Sequence, residues 1–330
     1  MKTLIPFFAV VILIVLALAG VNMANMQFLF GVAIPYAALA TFILGVIYRV
    51  VKWGRSPVPF CIPTTCGQQK SLPWIKQDKI ENPSSTGWVI VRMALEVLLF
   101  RSLFRNIKTE LRDGPKLAYG SDKWLWLAGL AFHWSFLIIL VRHFRFFSLG
   151  VPFPIRMIEG LDSFLQIGVP LFYMTDAVIL AAVTYLFIRR MTIPTVKYIS
   201  LPADYFPLFL ILAIAASGVI MRYFAKVDIV SVKQLTMGLV SFSPVIPKGI
   251  GSIFYVHLFL ISILFAYFPF SKLVHMAGVF MSPTRNMAND SRMVRHINPW
   301  NYPVHVHTYE EYENDFRAKM KAAGLPVEKE

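Results

Sequence analysis

Charge is what this sequence has least of. Of its 330 residues, 15% are charged and 57% hydrophobic, against roughly 25% charged residues in an average soluble domain. That deficit excludes a soluble globular chain and indicates an integral membrane protein. Acidic residues are the scarcer kind, 18 Asp and Glu against 32 Lys and Arg, leaving a net charge of +14. On a membrane protein such an excess reads as loop charge on the inner side, and no nucleic-acid partner is expected. Cysteine is almost missing. Cys61 and Cys66 are too few for a disulfide scaffold and cannot hold an iron–sulfur cluster by themselves. Their C-x₄-C spacing is read as two structural thiols in a loop touching a partner, with a redox or shared-ligand role as the alternative. There is no phosphate-binding loop, no Ser/His/Asp set, no internal repeat and no low-complexity stretch.

What the chain does have is long apolar runs. A spanning helix needs about 20 apolar residues, and six candidates are present, at 4–21, 28–50, 124–147, 169–189, 206–225 and 252–276. Lys2, the first run and Ala17-Leu18-Ala19 also suit a signal peptide; a retained helix is the expectation. The segment 51–122 holds eleven Lys and Arg, the tail 276–330 seven and 190–205 two, whereas the opposite loops 149–168 and 226–251 hold only Arg156, Lys226, Lys233 and Lys248. Positive-inside bias therefore places both termini and the 51–122 loop in the cytoplasm of a multi-pass inner-membrane protein. The stretch 87–105 carries Arg92, Glu96 and Arg101 and reads as an interfacial amphipathic helix rather than a span.

Four histidines lie inside the apolar runs: His133 and His143 in one, His257 and His275 in another. Ionisable side chains within membrane helices are costly and usually functional. Ten residues separate the first two, about 15 Å of helical rise, and eighteen the second two, about 27 Å or five whole turns. No single metal can serve two histidines so far apart. With the two helices antiparallel, His133 matches His275 in depth on the inner side and His143 matches His257 on the outer side. Two b-type haems, each held by one such pair, fit best. Zinc or non-haem iron would bring carboxylate or cysteine ligands alongside. A proton-relay transporter without haem and a plain membrane anchor are the alternatives.

Other residues are candidates for supporting roles. Asp176 is the carboxylate deep in a confident span, at the depth of the outer pair, and is the candidate acceptor of a quinol proton; pairing with a buried cation or hydroxyl is its structural alternative. Arg142, Arg145 and Lys272 flank the histidines and are candidates to neutralise haem propionates, or else to snorkel to headgroups. His296, His305 and His307 lie in the polar tail. The V-H-V-H run has donors for a metal, but surface histidines are the expected reading.

The motifs FHWSFLIILVRH, RRMTIPTVKYISLPADY and VHLFLISILFAYFPFSKLVHM resemble the cytochrome b (gamma) subunit of respiratory nitrate reductases over about 124–285, with the same histidine spacings. That resemblance implies His133, His143, His257 and His275 as axial ligands and quinol oxidation near the outer haem. The family lacks the long 51–122 insert and has one fewer span. The loop PFCIPTTCGQQKSLPW and the tail SPTRNMANDSRMVRHINPWNYPV are similar instead to the DsrM family, haem b membrane subunits of the sulfite-reduction-associated Dsr complex. This second resemblance implies menaquinone as carrier and a cytoplasmic, DsrK-like iron–sulfur partner of the heterodisulfide-reductase type. The expected architecture is all-α: two helices in 1–50, a cytoplasmic loop 51–122 with an interfacial helix, a four-helix dihaem core 123–281, and an extended cytoplasmic arm 282–330 lying on a partner.

Overall fold

A computed structural model describes residues 2–58, 67–104, 108–293 and 303–329. Cys61, Cys66 and His296, to which expectations were attached, lie outside the described residues. Among the described residues five helices are long and apolar enough to cross a bilayer: Leu4–Asn22 (α1), Leu29–Gly54 (α2, opening in a wide π-helical turn), Lys123–Phe147, Pro202–Ala225 and Ser252–Phe270. Between α2 and the third of these lie Thr86–Leu99 (α3), Arg101–Phe104 (α4) and a small hairpin of Lys108–Arg112 (β1) with Lys116–Gly120 (β2). The remaining regular elements are α5 (Lys123–His143), α6 (Phe153–Asp162), α7 (Met174–Thr192), α8 (Pro194–Ile199), α9 (Pro202–Val219), α10 (Ile229–Val240), α11 (Ser252–Tyr267), α12 (His275–Gly278) and α13 (Tyr309–Ala322).

The sixth expected span, 169–189, is α7. It starts later, after the extended backbone of Tyr173, and its 19 residues carry Asp176, Arg189 and Arg190. Those three charges keep it from the apolarity of the other five. It is nonetheless a full member of the bundle. α5 packs on α7, α7 on α9, α9 on α11, and α11 on α1 and α2. One core joins them, with Val10, Ala17, Ile179, Val183, Leu210, Leu235, Phe259 and Leu260 all buried.

Proline shapes the helix ends and interiors. Pro207 sits inside α9 and cannot donate to the carbonyl of Ala203. The Tyr267 hydroxyl donates to that carbonyl instead, at 3.3 Å. At the end of α11, Pro269 and an extended Ser271 (φ −113°, ψ 178°) stop the helix, and Ser271 Oγ accepts the Leu273 N–H to start the next turn. This corrects the expectation of one helix through 252–276: His275 stands on the separate short α12, so the eighteen-residue spacing is not five turns of one helix. Arg49 Nε donates to the orphaned Pro269 carbonyl at 3.0 Å. Gly45 lets α2 approach the break so closely that a Cβ there would fall 2.6 Å from Pro269 Cβ.

The polar segments are more folded than expected. The interfacial helix ends at Leu99, not 105, because Phe100 is left-handed (φ 49°, ψ 45°). Trp126 and Trp134 of α5 donate their indole N–H groups to the carbonyls of Leu99 (2.7 Å) and Leu98 (3.0 Å). The first part of the tail is not a free arm either. Gln69 Nε2 donates to Asn289 Oδ1 (2.6 Å), Asn289 Nδ2 donates to Asn82 Oδ1 (2.6 Å), and Arg285 pairs with Glu96 at 2.8 Å. Buried amides thus stitch 67–104 to 285–291, satisfying each other's hydrogen-bonding groups. The β1–β2 hairpin, with Gly114 left-handed at its turn, was not expected in an all-α chain.

Beyond residue 302 the arm is helical, not extended, for most of its length. Thr308 and Glu311 form a reciprocal capping box at the start of α13. Past its end the chain folds back, and the covered Glu313 carboxylate accepts the N–H groups of Glu328 and Lys329 at 2.9 Å each. Those N–H groups, with Arg317, hold the Glu313 carboxyl below the usual glutamate range. A lowered folded-state pKa means the fold-back is held above the ordinary glutamate range and released as pH falls through the depressed value. Glu313→Gln should release it at neutral pH as well, read as faster amide exchange at Glu328 and Lys329; unchanged exchange would show that the carboxylate does not hold the segment.

Candidate metal centres

The four membrane histidines meet in two pairs. The His133 and His275 ring centres are 6.0 Å apart with planes at 85°, and those of His143 and His257 are 6.5 Å apart with planes at 19°. α5 packs on α7, and its histidine face looks across at α11 and α12. Two imidazole nitrogens each about 2 Å from one metal ion would place their ring centres about 6 Å apart. The observed separations match that figure at both levels.

Ring orientation is fixed by the other nitrogen. His133 Nδ1 is 2.7 Å from the carbonyl of Gly129, His143 Nδ1 is 2.7 Å from that of Ile139, and His275 Nδ1 is 3.0 Å from that of Lys272. A carbonyl only accepts, so these Nδ1 atoms carry the hydrogen. His257 Nδ1 is 2.8 Å from Ser217 Oγ, which itself donates to the Ile214 carbonyl at 2.9 Å. His257 therefore also donates from Nδ1. In the neutral form each ring is therefore the Nδ1–H tautomer, whose free lone pair is on Nε2, the arrangement of a metal ligand with its supporting hydrogen bond in place. Gly218 gives His257 room, since a Cβ there would fall 3.3 Å from its Cε1. The His257 ring is buried, while His133 and His275 are exposed on the described chain.

The cations beside the histidines are all engaged by acids. Buried Arg142 lies 3.0 Å from Asp162 Oδ2 through Nε and 2.7 Å from Asp176 Oδ1 through an NH₂ group. Its guanidinium also stacks 3.7 Å from the Tyr173 ring, whose other neighbour is Arg222 at 4.0 Å. Asp162 further accepts the N–H and hydroxyl of Thr175 at 2.9 and 2.6 Å. Tyr223 donates to Asp176 Oδ2 at 2.9 Å. Arg145 pairs with Glu159 at 2.8 Å, and Lys272 with Asp204 at 2.6 Å. Of the three expected propionate partners, Arg142 is buried and ion-paired within the protein, though its Nε makes no hydrogen bond of good geometry, whereas the Lys272 side chain is 80% exposed.

A cavity of about 270 Å³ opens beside His275, bounded by Phe132, Arg189, Arg190, Asp204, Tyr267 and Lys272 among others. Arg189 and Arg190 were not singled out from sequence, although they stand in the quoted RRMTIPTVKYISLPADY stretch. Arg189 also pairs with Asp122, the residue that caps α5. Asp162 and Tyr223 were missed as well. Both act across contacts between elements, and no spacing in the chain announces them. Phe100, from the segment between α2 and α5, sets its ring edge-on to His133 at 4.8 Å.

Comparison with known proteins adds a lineage. The nitrate reductase gamma subunit family matches residues 116–296. Two relatives are described as Hdr-like menaquinol oxidoreductase cytochrome b-like subunits. That of Archaeoglobus fulgidus is 46% identical over 279 residues, covering 82% of this chain and 83% of the relative. That of Archaeoglobus profundus is 43% identical over 275 residues, 81% of each.

Removing Arg142 would leave buried Asp162 and half-buried Asp176 without their cation. Arg142→Met should therefore cost about 3–5 kcal/mol, seen as a marked drop in thermal unfolding temperature in detergent. A variant as stable as the parent would mean that water or relaxation neutralises both acids.

Proposed function

This chain belongs to the nitrate reductase gamma subunit family, and on that premise we propose that it is a dihaem cytochrome b passing electrons between menaquinol and a cytoplasmic iron–sulfur subunit of the heterodisulfide-reductase type. The observation that carries the reading is the set of four imidazoles, paired at two depths, each with Nδ1–H spent on an oxygen and Nε2 left as donor. His133 with His275 and His143 with His257 would hold the two haems, which supply one-electron transfer across the bilayer. Arg189, Arg190 and Lys272 would balance propionate charge at the inner site, and Arg145 at the outer. Both termini and the 51–122 segment belong to the cytoplasmic side, where most of the loop lysines and arginines lie. The printed names of the two relatives support menaquinol as donor and an Hdr-like partner. The likeness of the loop and tail to DsrM adds a setting in dissimilatory sulfur metabolism, with a DsrK-like partner.

Haem content tests this directly. Pyridine-haemochrome assay of the purified chain should give two haems b, falling to one in either His133→Ala or His143→Ala. The ring planes predict two distinguishable low-spin EPR signals in the oxidised protein. The near-perpendicular inner pair gives the lower-field feature, so His133→Ala should remove that one. A chain that binds no haem, or a single variant that keeps two, sinks the reading.

At the outer side, quinol oxidation must release protons. Asp176 is the proposed acceptor: it lies near enough to His143 to interact with it electrostatically. Tyr223 shares its second oxygen, so a proton can arrive directly or along that hydroxyl. Asp176→Asn should leave both haems bound and slow haem reduction by a menaquinol analogue by about 10²–10⁴-fold, the usual range for loss of a general base. Reduction at the parent rate across pH would leave Asp176 only its structural place beside Arg142.

A further inference from the structure

We propose that the C-terminal arm carries a second kind of metal centre, a divalent site of the zinc class built by His305, His307 and Glu311. It is independent of the membrane histidines. Residues 303–308 run without helical structure into α13, and in an extended run residues two apart project to one side. The His305 and His307 ring centres are accordingly 5.0 Å apart. The chain then turns into α13 at Thr308, and the capping box orients the third ligand. Glu311 Oε2 accepts the Thr308 N–H at 2.8 Å while Thr308 Oγ1 accepts the Glu311 N–H at 3.3 Å. That leaves Glu311 Oε1 free, 3.9 Å from His305 Nε2.

One donor atom from each of these three residues lies within 4.8 Å of the other two. Donors sharing a tetrahedral zinc at 2.0–2.1 Å stand about 3.4 Å apart, so closure asks for shifts of about 1.4 Å or less. The side chains can make them, being 72% (His305), 56% (His307) and 47% (Glu311) exposed. Asp315, one helical turn past Glu311, has Oδ2 3.8 Å from His307 Nδ1 but stands outside the three-donor cluster, so the fourth position is left to water. Two imidazoles with a carboxylate suit zinc and its neighbours in the transition series, whereas magnesium and calcium take oxygen ligands throughout. The supporting hydrogen bond on Glu311 is the kind that orients a metal-bound carboxylate. The ion would tie the segment before α13 to the first turn of the helix, making residues 305–311 one rigid unit.

The test is equilibrium dialysis of the full-length chain in detergent against buffered free Zn²⁺, with bound metal read by mass spectrometry. The double variant His305→Ala/His307→Ala should bind one zinc fewer per chain than the parent. Glu311→Gln preserves the capping box but removes the anionic ligand, and should weaken the same zinc by more than about tenfold. If the double variant keeps the parent's zinc stoichiometry and affinity, the metal binds elsewhere and the proposal is overturned. It is equally overturned if the parent binds no zinc in that range.

Discussion

Everything in the bundle depends on how a histidine is kept hydrogen-bonded and upright in a medium without water. In hydrocarbon a free imidazole N–H is an unsatisfied donor, and each such group is costly. The chain settles this locally. His133 and His143 donate to the carbonyl four residues earlier on their own helix, His275 donates to a carbonyl in the turn before it, and His257 donates to Ser217 of a neighbouring helix. The same bond that satisfies Nδ1 decides which nitrogen remains a base. Structural and chemical requirements are therefore met by one interaction, repeated four times.

Charge obeys the same rule one layer out. Arg142, Arg145, Arg189 and Lys272 face carboxylates of the same chain, and Asp162 holds Arg142 and Thr175 together. Buried ion pairs add little net stability but penalise heavily any arrangement that separates them. The Arg142 cluster thus fixes α5 against α6 and α7 beside the His143–His257 pair. Two aromatic rings, Tyr173 and Tyr223, complete it by stacking and by hydrogen bonding.

Much of this was legible in the chain itself. The apolar runs located the helices, and counting residues between histidines, with antiparallel helices, led to the partners that the rings now face. His275 meets His133 for a different reason than a spacing of whole turns, because the helix stops at Pro269 and Ser271. The Pro-Phe-Ser sequence was in plain view, yet a histidine spacing equal to whole turns concealed the break. The fold of 67–104 onto 285–291 was illegible for a different reason. Its contacts are carried by Gln69, Asn82 and Asn289 and by the Glu96–Arg285 pair, which leave no hydrophobic period to read. Asp162, Tyr223 and the Arg189–Asp122 pair depend on distances through space that no local pattern encodes. Asp176 could be found because a lone carboxylate near an apolar run is conspicuous, but its partner Arg142 could not be chosen over Arg145 from sequence.

The two tryptophan clamps on α3 have a mechanical meaning. Helix α3 hangs from α5 by the indoles of Trp126 and Trp134, which grip its last carbonyls, and Phe100 then turns left-handed to lie on His133. The tail is tied to α3 through the Glu96–Arg285 pair. A load placed on that segment therefore has a defined path into the membrane. It arrives at α5 between residues 126 and 134, at the level of His133, which lies about 15 Å along the helix from His143. Such an attachment acts as a lever with a short arm: whatever pulls on the loop is felt first by the His133–His275 pair, while the His143–His257 pair, braced by the Arg142 cluster, is shielded from it.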